Sequence, residues 1–123
     1  MTDAERELYD RAVKASENAY APYSNFRVGA AVRARDGRVF TGVNVENAAY
    51  PLGVCAEKSA IVAAVTAGCR PGDLEAIGIT ASPCGGCRQW LVEFGLDTVI
   101  YADNAGEVVS ATPASLLPDT FEL

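Results

Sequence analysis

From Asp3 to Ala21, Leu8, Ala12, Ala15 and Ala19 recur at helical spacing among charged residues. The pattern predicts an amphipathic helix that packs one stripe on a core and is ended by Pro22. Ala21 to Phe26 then reads as a turn-rich loop. Val28–Ala34 and Val39–Val45 read as strands joined at Asp36-Gly37, a strong hairpin signal. Such a hairpin puts Phe26, entering its first strand, at the same end as Asn44 and Glu46, leaving its second. Asn47 to Val54 is an irregular connection with Pro51 and Gly53. A helix follows from Cys55 to about Ala67, closed by Gly68. Its run Ile61-Val62-Ala63-Ala64-Val65 is apolar all round and predicts burial on every side. Leu74–Thr80 reads as a central strand. A short helix starts at Ser82-Pro83, with Ser as N-cap and Pro at the first helical position. Thr98–Tyr101 and Val108–Ala111 are further strands, and Pro113–Leu117 is a last short helix.

Strands alternating with buried helices predict an α/β protein, a three-layer α/β/α sandwich around a five-stranded mixed sheet. At 123 residues with no linker, repeat or low-complexity tract, the expectation is one catalytic domain over residues 1–123.

Charge narrows the ligand. The formal net charge is −6, a balance that repels polyanions, whose binding rests on Lys and Arg neutralising phosphates. A neutral small molecule meets no such barrier, so no nucleic-acid partner is expected. No apolar run approaches the roughly 20 residues that span a bilayer, so no membrane partner is expected either. The charged segment Met1 to Asp10 lacks the apolar stretch of a secretion signal, which makes the cytoplasm the expected compartment.

The sequence has four cysteines and no histidine. A general base must then be a carboxylate, a lysine or a tyrosine, and Ser-His or Cys-His triads are excluded. Cys84-Gly85-Gly86-Cys87 places two thiols three residues apart, and Cys55 stands at the start of the preceding helix. Helix N-termini present free N–H groups and a positive dipole end, which favour the thiolate that metals need. A C-x-x-C pair is also the mark of redox proteins, but that reading leaves Cys55-Ala56-Glu57 unexplained. A structural zinc site takes four protein ligands. Cys69 would lie roughly 20 Å from Cys55 along a continuous helix, so it reads as a buried small hydrophobe, while an Asp or Glu remains available to close such a site. Three ligands with a free fourth position is the pattern of catalytic zinc. Glu57 reads either as a first-turn carboxylate favoured by the helix dipole or as the base beside the metal.

Cys55-Ala56-Glu57 with Pro83-Cys84-Gly85-Gly86-Cys87-Arg88-Gln89 resembles the cytidine deaminases in their small, all-cysteine form. The likeness extends through Ala21–Ala31, Gly42–Tyr50 and Leu116–Phe121. It implies one Zn²⁺ per subunit on Cys55, Cys84 and Cys87, with Glu57 moving protons. It implies hydrolysis of cytidine and 2′-deoxycytidine to the uridines with release of ammonia, in pyrimidine salvage. It implies that Phe26 packs on the pyrimidine, that Asn44 and Glu46 hold the ribose, and that the Ala56 N–H fixes the ring carbonyl. It further implies a homotetramer with shared active sites, to which Ala48, Tyr50 and Phe121 contribute from neighbouring subunits.

One position departs from the family pattern. Lys58 stands where an arginine usually pairs with the cysteine ligands. Three thiolates and one Zn²⁺ sum to −1, so a nearby cation keeps the metal acidic. Lysine brings charge without a planar fork of donors, which leaves the role to Lys58 or to Arg88. Two other readings stay open: a small zinc deaminase acting on a nucleoside analogue such as blasticidin S, and a structural zinc-binding module without activity.

Overall fold

A capping box starts the first helix. The Thr2 hydroxyl accepts from the Glu5 N–H, and the Glu5 carboxylate accepts from the Thr2 N–H. The computed structural model describes all residues from Met1 to Leu123. In chain order these form α1 (Asp3–Ser16), β1 (Gly29–Ala34), β2 (Val39–Val43), a 3₁₀ turn (Tyr50–Leu52), α2 (Ala56–Thr66), β3 (Leu74–Ile79), α3 (Gly85–Phe94), β4 (Thr98–Ala102), β5 (Val108–Ala111) and α4 (Pro113–Leu116).

The sheet order is β2-β1-β3-β4-β5. β1 is antiparallel to both β2 and β3, β3 is parallel to β4, and β4 is antiparallel to β5. Alternation along β1 separates two cores. Ala31 packs with Leu8 and Ala12 of α1 on one face. Ala30, Val32 and Ala34 face Ala60, Ile61 and Ala64 of α2 and Leu91 of α3 on the other. The result is the expected α/β/α sandwich with a five-stranded mixed sheet. No helix is long and apolar enough to cross a membrane.

Four local expectations change. The first helix ends at Ser16 rather than Ala21, because the Tyr20 N–H leaves the helical ladder and donates to the Asn44 carbonyl. The second strand ends at Val43 rather than Val45, since Val45 bridges Tyr20 and Val54 instead. The third helix is capped by Cys84 rather than Ser82. Cys84 is extended, its carbonyl accepts the first helical bond from Arg88, and Pro83 is buried ahead of it. Finally, α2 is not buried all round. Ala56, Glu57, Ala60, Ile61 and Ala64 face inward, but Val62 is 48% exposed, because no other element of the chain lies over that side.

Gly42 sets where α2 sits. A Cβ there would stand 2.2 Å from the Ala60 nitrogen and 2.6 Å from the Ala56 carbonyl oxygen, both backbone atoms of the helix. Only a residue without a side chain lets α2 lie this close to β2. The far end of α2 closes in a Schellman motif, with Gly68 at φ +107° and Cys69 N–H donating to the Ala64 carbonyl.

Candidate metal centre and its cavity

Two helix starts face each other at the carboxyl end of β3. Cys55 is the N-cap of α2 and Cys84 the N-cap of α3, and neither makes a side-chain capping bond. Each sulfur therefore sits at a positive dipole end among N–H groups that lack intrahelical acceptors. Cys87, in the first turn of α3, brings a third sulfur to the same point. The three Sγ atoms lie within 4.8 Å of one another, and Cys55 and Cys84 are 4.0 Å apart. Tetrahedral zinc with ~2.3 Å Zn–S bonds spaces its sulfurs by about 3.8 Å, so the donor set fits that ion in both element and spacing. Cys69 is buried beyond the far end of α2 and takes no part in the cluster; its sulfur instead accepts from Arg38 at 3.6 Å.

Proton sharing among the sulfurs is uneven. Cys55 is brought down to about 6, first because the Cys87 thiol donates to it, then through Cys84 and the nearby Lys58 charge, against partial burial. Cys87 is pushed up, because it holds the shared proton and because it is buried. Glu57 is 4% exposed and the sole buried charged residue. Burial raises its pKa, opposed by its own backbone N–H and by the neighbouring Cys87 thiol. A carboxyl that takes up protons easily thus lies against one sulfur of the cluster.

The cations divide the work in a way the sequence left open. Lys58 Nζ lies 6.0 Å from the centre of the Trp90 ring, and its charge acts on Cys55. Arg88 is turned elsewhere. It donates to the Pro83 and Leu116 carbonyls, both at 2.9 Å, and to Ser82 Oγ at 3.4 Å. It ties the segment before Cys84 to α4 rather than pairing with the thiolates.

A cavity of about 380 Å³ opens beside Cys55 and is lined also by Ser24, Asn44, Glu46, Asn47 and Tyr50. Asn44 Oδ1 accepts from the Val28 N–H at 2.9 Å, and its Nδ2 donates to the Phe26 carbonyl at 2.8 Å. Glu46 accepts from the N–H groups of Tyr23 and Ser24 at 2.9 and 3.0 Å and from the Ser24 hydroxyl.

This set of elements belongs to a known family. The model of the cytidine and deoxycytidylate deaminase zinc-binding region matches residues 2–103. The chain is a member of that family. It is similar to the cytidine deaminase of Halalkalibacterium halodurans, 43% identical over 122 residues, covering 93% of this chain and 91% of the relative. A crystal structure of cytidine deaminase from Burkholderia pseudomallei superposes with a TM-score of 0.88 at 45% identity, covering 98% of this chain and 100% of that one. The cytidine deaminase of Mycobacterium tuberculosis superposes with a TM-score of 0.83 at 38% identity, covering 100% of both chains.

Of the residues that the family pattern singles out, Cys55, Cys84, Cys87 and Glu57 converge, and Asn44, Glu46 and Tyr50 share the cavity with Cys55. The Ala56 N–H lies in the first turn of α2 without an intrahelical acceptor. Phe26 is 59% exposed on the loop that Asn44 holds. Ala48, Tyr50 at 91% and Phe121 at 69% stand exposed, and of these only Tyr50 lines the cavity. The Phe121 carbonyl accepts from Gln89 Nε2, which lays the tail along α3. Sequence reasoning missed Ser24 and Gly42. Their signals were a serine two residues before an aromatic in a turn and a glycine inside a strand.

Proposed function

We propose that this chain is a zinc-dependent cytidine deaminase, converting cytidine and 2′-deoxycytidine to uridine and 2′-deoxyuridine with release of ammonia. The observation that carries the reading is a cluster of three sulfurs, without a fourth protein donor, beside one buried carboxyl and open to a nucleoside-sized cavity. Cys55, Cys84 and Cys87 would hold the ion, one per subunit. What zinc supplies when bound is Lewis acidity, enough to bring the pKa of water from about 15.7 toward about 7.

Glu57 carries the protons. Its carboxylate accepts one from the attacking water and delivers it to ring N3, which makes C4 electrophilic toward the water oxygen. Glu57 then takes the proton of the new C4 hydroxyl and passes it to the exocyclic amine; the C4–N bond breaks, ammonia leaves and the C4 carbonyl of the uridine forms. The raised pKa of Glu57 suits a group that must both take and give a proton near neutrality. The Ala56 N–H faces the ring carbonyl, and Phe26 covers the ring. Asn44 and Glu46 hold the ribose; a carboxylate offers about four lone-pair sites, and the loop occupies three of those of Glu46. Lys58 offsets the charge of the thiolates.

The exposed Tyr50, Leu52, Val54, Val62 and Phe121 support a homotetramer whose subunits cover these side chains and share sites, with Ala48, Tyr50 and Phe121 reaching a neighbour's cavity. Membership of the family favours a cytoplasmic enzyme of pyrimidine salvage. Zinc analysis combined with the fall in absorbance at the cytidine maximum and ammonia release tests the activity. Glu57→Gln should retain zinc and lose at least about a hundredfold in kcat; a fully active Glu57→Gln enzyme would refute the proton-carrying role.

A further inference from the structure

Phe26 reaches its place without the packing that usually fixes an aromatic ring. With the residue 59% exposed, little but the backbone decides where the ring stands. That backbone runs in a turn where Asn25 takes a left-handed φ of 58°, a conformation that persists where surrounding bonds over-determine it.

Two side chains hold the peptide groups on either side of Phe26. Its N–H donates to Ser24 Oγ at 3.0 Å, and its carbonyl accepts from Asn44 Nδ2 at 2.8 Å. The Ser24 hydroxyl also donates its own proton to the Glu46 carboxylate. One hydroxyl therefore joins Glu46 to the residue that carries the ring, accepting from Phe26 while donating to Glu46. A bond to an ionised carboxylate is about twice as strong as a neutral one, and polarising the hydroxyl makes its oxygen a better acceptor for the Phe26 N–H. The pKa of Glu46 is lowered, first by the Ser24 hydroxyl bond, so the group stays ionised at neutral pH.

We infer that Ser24 is a positioning residue that couples the sugar-binding carboxylate of Glu46 to the ring-covering Phe26. The inference rests on the proposed roles of Phe26 and Glu46. Neither the pattern of cysteines nor the walk along the chain assigned anything to Ser24, which touches no metal ligand. Loss of its hydroxyl removes one acceptor and one donor together and leaves Phe26 held only at its carbonyl, by Asn44, and Glu46 only by the Tyr23 and Ser24 N–H groups.

The test is a double-mutant cycle on the zinc-loaded protein with Ser24→Ala and Phe26→Ala, reading kcat and KM for cytidine. Ser24→Ala should retain full zinc and lose about tenfold or more in kcat/KM, the size of one charge-assisted hydrogen bond. In the Phe26→Ala background the same change should do markedly less, because the ring it aligns is gone. Ser24→Thr, which keeps the hydroxyl, should recover most of the loss. Affinity for 1-methylcytosine, which has the ring but no sugar, should fall in Ser24→Ala. Additive losses, an unchanged Ser24→Ala enzyme or an inactive Ser24→Thr variant with normal zinc and melting temperature would overturn the coupling. If Phe26→Ala alone proves fully active, the role given to Phe26 falls and the coupling falls with it, a result distinct from additivity.

Discussion

Replacing Gly42 with alanine should damage the metal centre from a distance. The added Cβ would stand 2.2 Å from the Ala60 nitrogen and 2.6 Å from the Ala56 carbonyl oxygen. The first gap falls more than an ångström short of an ordinary contact of about 3.4 Å. Both clashing atoms are helix backbone, so no rotamer change relieves them, and α2 must retreat from β2 by about 1 Å. Overpacking of this kind costs about 1–3 kcal/mol, which for a chain of this length lowers Tm by roughly 4–12 °C. The local effect is sharper. Cys55 rides at the head of α2, one residue before Ala56, whereas Cys84 and Cys87 stay on α3. Metal sites tolerate about 0.2 Å of error in each ligand bond, so a helix displaced by ~1 Å spoils the triangle of sulfurs unless the cap bends back. Zinc affinity should fall by about ten- to a hundredfold, the range for changes that disturb ligand orientation without removing a ligand. Chelator competition measures the affinity and scanning calorimetry the Tm. A Gly42→Ala protein with unchanged Tm and zinc affinity would refute the claim that this contact seats α2 and, through it, Cys55.

The cysteines divide sharply by role. Cys84→Ala and Cys87→Ala should lose zinc by metal analysis, while Cys69→Ala should keep a full complement and lose only about 1 kcal/mol of stability from its small buried volume. In metal-free protein, iodoacetamide should alkylate Cys55 readily at pH 7, because a thiol with a pKa of about 6 is mostly thiolate there. That labelling should fade as pH drops below about 6, should be blocked by zinc, and should leave the buried Cys87 behind; an inflection near the ordinary cysteine value would contradict the sulfur geometry. Stripping zinc with a chelator should abolish deamination and lower Tm, and zinc added back should restore both.

Much of this protein was legible because its signals are local. The hairpin signal at Asp36-Gly37, the amphipathic stripe of α1 and the Gly68 stop depend on near neighbours, and each formed within a few residues of its expected place. The site was legible for a different reason. Cysteine, glutamate and a missing histidine limit the chemistry whatever the fold, and the spacing of Cys84 and Cys87 holds in any helical turn.

Long-range competition was not written in any short window. The stretch from Glu17 to Ala21 has helical spacing, yet Tyr20 gave its N–H to Asn44, a partner 24 residues away. Ser82-Pro83 is a sound local helix start, but Arg88 pins the Pro83 carbonyl and the first helical bond is taken by Cys84. The apolar run of α2 promised burial on every side, and tertiary structure left Val62 in the open because the chain has nothing to lay over it.

Residue types thus determined which chemistry was available: thiolates for a metal, one carboxyl for protons, and no imidazole for either. Only the tertiary structure decided that Cys55 would meet Cys84 and Cys87, that Glu57 would be buried against them, and that Ser24 would stand between Glu46 and Phe26. The reason is physical. Side-chain chemistry is a property of each residue, whereas distance, burial and the sharing of a proton exist only once strands and helices remote in the chain have packed.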